Sequence, residues 1–146
     1  MTDAALTLIV RRHIPASRDR VFDAWTDPAL VQLWWGPAEV RCPHAEFDLK
    51  VGGKYRIANE FEDGRVLWIE GEFVVVDPPA RLVYTWRTDP DADPELVTVR
   101  FEASGADTEV IVLHERMAEA ARAGHEKGWF GCLDGLEQWA VSGSSD

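Results

Sequence analysis

The stretch MAEAARAGHEKGWFGCLDGLEQWA, residues 117–140, reads as one helix of about six turns at 3.6 residues per turn. Trp129, Cys132, Leu133, Leu136, Trp139 and Ala140 fall on one stripe at i, i+3, i+4, i+7 spacing. Continued backwards, the stripe passes through Ala118, Ala121 and His125, while Glu126, Lys127, Asp134, Glu137 and Gln138 take the opposite face. Gly124, Gly128, Gly131 and Gly135 form a second stripe beside it. Each helical glycine costs roughly 1 kcal/mol relative to alanine. At Gly128 and Gly131 the expectation is a close strand or loop backbone, or volume left free for a ligand.

A helix with one long apolar face needs an apolar partner, and the preceding chain supplies a sheet. Leu6, Leu8, Val10 and Ile14 share one parity of a first strand, ended by Pro15. Ser17 caps a short helix carrying Val21, Phe22 and Trp25. Asp27-Pro28 opens a second, with Leu30, Leu33 and Trp34, that stops at Gly36-Pro37. Strands are then predicted over 42–49, 54–61, 66–76, 81–87, 96–103 and 108–115, separated by Gly52-Gly53, Asp63-Gly64, Pro78-Pro79, an acidic loop over 89–94 and a turn at Gly105. Short turns between successive strands imply antiparallel pairing. The uncharged parities (Leu67, Ile69, Gly71, Phe73, Val75; Leu82, Tyr84, Trp86; Val97, Val99, Phe101) form an inner face that the helix covers. The class is α+β.

Composition narrows the partners. A net charge of −11 opposes binding to nucleic acid or to anionic membranes. The apolar run Leu6–Val10 is too short for an export signal, and no stretch reaches the ~20 apolar residues of a membrane span. Cys42 and Cys132 lack paired spacing, so no disulfide framework or zinc knuckle is indicated. These features are those of a cytoplasmic protein with two free thiols.

Local motifs then run through the chain in a fixed order: Val21-Phe22-Asp23-Ala24-Trp25-Thr26-Asp27-Pro28; Leu33-Trp34-Trp35-Gly36-Pro37; Asp48-Leu49-Lys50-Val51-Gly52-Gly53; Gly71 with Asp77-Pro78-Pro79-Ala80-Arg81-Leu82; and His125 with Gly128-Trp129, Leu133 and Leu136. The series resembles the START-like, or SRPBCC, superfamily, in its branch named for the activator of the heat-shock-protein-90 ATPase. The resemblance implies a helix-grip fold: a curved antiparallel sheet of about six to seven strands wrapped round a long C-terminal helix, with two short helices after the first strand. Residues 1–142 would form one such domain and 143–146 a disordered tail. It also implies a cavity between sheet and helix, but no single chemistry, since carriers, cyclases and a co-chaperone domain share the fold.

His125-Glu126 begins like a zinc-protease motif, but Trp129 occupies the position of the second histidine, so no metal set is read there. Asp89, Asp91, Asp93 and Glu95 lack the glycine and distal glutamate of a calcium loop and read as a solvated acidic loop. Glu70 and Glu72 point to water by parity. No cofactor fingerprint occurs. The candidate ligand-binding residues are those of the inner face: Tyr55, Ile57, Asn59, Ile69, Phe73, Tyr84, Trp86, Val99, His125, Trp129, Leu133 and Leu136. Three functions remain open: a binding protein for a mostly apolar small molecule; a cyclase, lyase or hydrolase using His125 as general base; and an interaction module, in which Trp68 and an exposed Trp34–Trp35 meet a chaperone partner or a second copy.

Overall fold

A computed structural model describes residues 6–36 and 40–143. Pro37 and residues 144–146 of the expected tail lie outside the described residues, and Gly143, the tail's first expected residue, still belongs to the last helix. The order is β1 (Leu6–Ile14), α1 (Arg18–Thr26), α2 (Pro28–Trp34), β2 (Val40–Arg41), β3 (Ala45–Phe47), β4 (Lys54–Phe61), β5 (Val66–Asp77), β6 (Arg81–Trp86), β7 (Glu95–Ser104), β8 (Asp107–Met117), a 3₁₀ turn (Glu119–Ala121) and α3 (Arg122–Gly143). The strands make one antiparallel sheet in the order β1-β8-β7-β6-β5-β4-β2, with β3 also on the β4 edge. The sheet is thus seven strands across, with β2 and β3 sharing the last place in succession, where the sequence suggested one strand over 42–49. This is the expected helix-grip architecture.

Local chemistry sets the short helices. Ser17 Oγ accepts from the Arg20 amide at 3.3 Å and caps α1. Asp27 closes α1 with its own amide and caps α2 by accepting from the Ala29 amide at 2.9 Å, with Pro28 at the first helical position. Both helices press aromatic faces inward. Trp34 donates from Nε1 to the Ala24 carbonyl at 2.8 Å, and Trp34 and Trp35 are 3% and 5% exposed. They are interior residues, not the exposed pair expected for an interaction surface, because α2 packs against α1, β3 and the C-terminal helix.

The curvature has an identifiable source. β5 pairs with β4 from Val66 to Glu72, then with β6 from Phe73 onward, with a register break between Phe73 and Val75. At the changeover stands Gly71, where a Cβ would run into the Thr85 carbonyl of β6. Glycine lets the two backbones meet while the strand bends, the usual role of a strand-interior glycine. Tyr55 seals the same corner by donating its hydroxyl to the Thr85 carbonyl at 2.6 Å.

α3 crosses this concave face and packs against β1 and α2. Trp129, Cys132, Leu133, Leu136 and Ala140 are buried, as the stripe requires. The helix begins later than the sequence suggested. Met117 still belongs to β8 and pairs with Leu6, and Ala118 and Ala120 are exposed. β1 extends as far as Leu6 and holds β8 as a strand through Met117, overriding the helical propensity of the alanines. On the outer flank Arg12 bridges to Asp134 at 2.6 Å and Glu137 at 3.0 Å, which tethers α3 to β1. Partly exposed pairs of this kind contribute about 0–1 kcal/mol each. Among the described residues no helix is long and apolar enough to cross a membrane.

Candidate functional site

Three indoles organise the space between sheet and helix. Trp86 is the last inward residue of β6, Trp129 faces inward from α3, and Trp35 follows α2. Their ring centroids lie 5.4 Å (Trp86–Trp129), 5.7 Å (Trp35–Trp129) and 6.2 Å (Trp35–Trp86) apart in tilted and edge-on contacts. Beside them opens a cavity of about 200 Å³, lined also by Asn59, Phe61, Ile69, Gly128, His125 and Cys132. Leu67, Thr88 and Gly124 are exposed and form its mouth. Gly124 and Gly128 have nothing within 4 Å of a would-be Cβ, so their half of the glycine stripe leaves volume free. Backbone approach occurs instead at Gly135, where a Cβ would strike the Trp34 carbonyl of α2. Gly131 is half-buried.

The polar atoms of the cavity are constrained by their partners. Trp35 Nε1 donates to Asn59 Oδ1 at 2.8 Å, which turns the Asn59 amide so that Nδ2 is left over. Among the described residues neither Asn59 Nδ2 nor Trp86 Nε1 has a hydrogen-bond partner, and neither atom is sealed within the protein. Both are donors without a partner, on residues that line the cavity.

Behind the indoles lies an acid–base cluster. Glu95 Oε1 is 2.6 Å from His114 Nε2 and 3.1 Å from His125 Nε2, and the two imidazoles stack with centroids 4.4 Å apart. Trp129 Nε1 donates to His114 Nδ1 at 3.0 Å. A nitrogen that accepts carries no proton, so the His114 proton sits on Nε2 and is donated to Glu95. Burial, with His125 facing it, pushes the fully buried His114 down to about 3, so the ring is neutral. Burial raises the Glu95 carboxyl, and His125 beside it pulls it back. Two histidines and a carboxylate within 4.8 Å also make a candidate metal set. The Trp129 contact opposes that use, since a protonated Nε2 cannot ligate unless His114 changes tautomer and loses the indole donor.

The twelve candidate residues divide into three groups. Asn59, Ile69, Trp86, His125 and Trp129 line the cavity. Tyr55, Ile57, Phe73 and Tyr84 line a neighbouring space of about 10 Å³, no more than one water molecule requires. There the rings close on one another, with Tyr55–Tyr84 centroids at 5.1 Å and Tyr55–Phe73 at 5.5 Å. The hydroxyls are committed, Tyr55 to a carbonyl and Tyr84 as acceptor from Trp25 Nε1 at 3.3 Å, and burial pushes both phenols up. Val99, Leu133 and Leu136 are fully buried core that lines neither space. Sequence reasoning missed Trp35, Cys132, His114 and Glu95. Glu95 is not part of the solvated acidic loop: it opens β7 with its side chain turned inward at 22% exposure. The signal was there, since Glu95 shares parity with Val97 and Val99, and His114 with Val110 and Val112. Glu70 and Glu72 do lie on the outer face. A larger hollow of about 440 Å³ there is lined by charges of both signs, already paired as Arg87–Glu70 and Arg56–Glu46, each at 3.7 Å. It is an open strand surface rather than a built site.

The sequence pattern of the family described as Activator of Hsp90 ATPase homolog 1-like protein matches residues 15–140. The chain belongs to that family. Solved structures of the same fold include protein NE0264 from Nitrosomonas europaea (19% identical, TM-score 0.83, 97% of each chain covered). Protein CV1439 from Chromobacterium violaceum is 24% identical, with a TM-score of 0.85 over 92% of this chain and 96% of that one. An AHSA1-like protein from Aeromonas hydrophila is 24% identical, with a TM-score of 0.81 over 97% and 96%. No curated protein matches the chain significantly. In this Activator of Hsp90 ATPase homolog 1-like chain the cavity beside the three indoles is lined by residues of α3, β4, β5 and β6.

Proposed function

We propose that the protein is a cytoplasmic binder of a small, mostly apolar molecule about the size of one substituted aromatic ring. The observation that carries this reading is the cavity of about 200 Å³ walled by Trp35, Trp86 and Trp129. An apolar protein cavity of about 150 Å³ holds benzene, so this space suits one ring with a few substituents. A largely apolar lining with a few polar groups that fix orientation is the usual form of a small-molecule site. Two buried free thiols, Cys42 and Cys132, suit a reducing compartment. A panel of one-ring aromatics tested by thermal shift provides the check, because a ligand that binds only the native state raises its midpoint. A stabilising hit that Gly128→Leu abolishes supports the reading. A panel that leaves the midpoint unmoved at saturating concentration contradicts it.

A second reading, acid–base catalysis by His125, is favoured by Glu95 Oε1 at 3.1 Å from its Nε2. It predicts turnover that His125→Ala removes; equal rates in both proteins would discard it. The chaperone-partner and homodimer readings lose Trp34–Trp35 and rest on Trp68, which Arg56 covers with its guanidinium 3.8 Å from the ring centroid.

A further inference from the structure

Resting on the small-molecule reading, the chemistry of the ligand can be taken one step further. The residues that line the cavity carry unlike polar atoms beside apolar walls. Asn59 Nδ2 and Trp86 Nε1 are donors without partners among the described residues. His125 lines the same space, and its Nε2 faces Glu95. Its Nδ1 has no partner among the described residues and is not sealed off. A carboxylate oxygen 3.1 Å from Nε2 favours the tautomer of neutral His125 with its proton on Nε2, which leaves a lone pair on Nδ1. The groups that face His125 are Glu95 from β7, the neutral His114 ring from β8 and the uncharged Trp86 from β6. Among the described residues an imidazolium formed at His125 would thus meet one carboxylate across the fold, with Arg122, Glu126 and Lys127 as its charged neighbours on α3 itself.

We propose that Glu95 and His125 act as a proton-accepting pair, so that the site selects small aromatic molecules bearing an acidic hydroxyl and holds them as the oxyanion. The ligand O–H bond breaks and an N–H bond forms at His125 Nδ1. The electron pair stays on the ligand oxygen, which accepts from the Asn59 and Trp86 donors. Proton and oxyanion stay together in the site, so the complex gains no net charge, which suits a chain already at −11. A site of two fixed donors beside a carboxylate-backed base is matched to charge developing on oxygen. A plain hydrocarbon would leave all three polar atoms without partners, and that costs affinity.

The test compares 4-nitrophenol, whose yellow band reports ionisation, with nitrobenzene, which has the same ring and no hydroxyl. Both are titrated by calorimetry at a mildly acid pH where the free phenol is colourless, and the phenol also by absorbance. The expected result is binding of both, with the phenol tighter by about tenfold or more, the scale of one hydrogen bond to a charged group. The yellow band should rise with occupancy. Glu95→Gln and His125→Gln should each lose the band and bring the affinity ratio toward one. His13→Gln, an exposed imidazole paired with Asp107 outside the cavity, should keep both. Equal binding of the two probes with no band overturns this proposal and leaves the cavity reading standing. Binding of neither overturns both. A band that survives in both variants places the proton acceptor elsewhere and also overturns it. If a variant does not unfold cooperatively, the wild-type comparison of the two probes decides alone.

Discussion

Gly128 and Gly135 lie seven residues apart on one face of α3, yet replacement of each by alanine should have opposite effects. At Gly128 a Cβ meets nothing within 4 Å. Gly128→Ala should therefore gain up to about 1 kcal/mol from helix propensity and a less flexible unfolded chain. At Gly135 the Cβ would drive into the Trp34 carbonyl, with the Trp34 carbonyl carbon at 3.4 Å and its Cα at 3.9 Å. Those are backbone atoms at the end of α2, fixed by burial of Trp34, and cannot swing aside as a flexible side chain would. Overpacking of this kind costs about 1–3 kcal/mol. With the helix gain set against it, Gly135→Ala should lose about 1–2 kcal/mol, a spread of about 2–3 kcal/mol between the variants. Urea unfolding at constant temperature reads this directly as displaced midpoints with unchanged slope. Equal shifts, or stabilisation at Gly135, would refute the packing of α2 on α3. Gly128→Ala also adds a methyl group to the cavity wall, so it should weaken ligand binding while stabilising the empty protein. Tighter or unchanged binding would show that the cavity is not occupied at that wall.

Trp129→Ala should cost about 3–5 kcal/mol in denaturant unfolding, the range for a buried large aromatic, and also strip His114 Nδ1 of its donor; a loss under about 1 kcal/mol would contradict its place in the core. His114 lies near 3 in the folded state against an ordinary 6.5, so unfolding takes up a proton between those values. The stability it contributes is full above 6.5 and drains as the pH falls toward 3, while Glu95, raised by burial, favours the folded state on the acid side and opposes it as the pH rises. Stability should thus fall more steeply from about pH 7.5 to 5.5 in wild type than in His114→Gln, and equal slopes would show that His114 is not held neutral. Burial pushes the Cys132 thiol up to about 12 and raises Cys42 as well, so neither should react with a disulfide reagent in the native protein near pH 8, whereas the urea-unfolded chain should yield two thiols.

Strand parity carried most of the fold. The alternation through Leu67–Phe73, Leu82–Trp86 and Val97–Phe101 located the inner face, but past Phe73 the register break sets Val75 opposite Val83 and brings Val76, opposite Leu82, against the core where the sequence suggested Val75; β4 has the bounds its turns suggested. Parity shows that a side chain faces inward, but not whether the facing side chains meet. That depends on how sharply the sheet bends at Gly71, and the bend closes Tyr55, Phe73 and Tyr84 on one another while leaving Asn59, Trp86 and His125 beside open space. Glu95 and His114 obeyed the same parity, but a charge next to an acidic loop reads as solvent-facing until its partners are known. Those partners come from β8 and α3, 19 residues away for His114 and further still for His125. The start of α3 was hidden because an alternating strand end and a helical stripe overlap through Met117, and only the pairing with Leu6 separates them.

The central claim, that a small molecule occupies the cavity beside the three indoles, is tested most directly by the indole N–H resonances of the seven tryptophans during titration with 4-nitrophenol or nitrobenzene. Saturable shifts are expected at Trp35, Trp86 and Trp129, largest at Trp86, whose donor has no partner among the described residues, with Trp68 and Trp139 unmoved. Shifts confined to Trp68 or Trp139, or none at saturating probe, would contradict it.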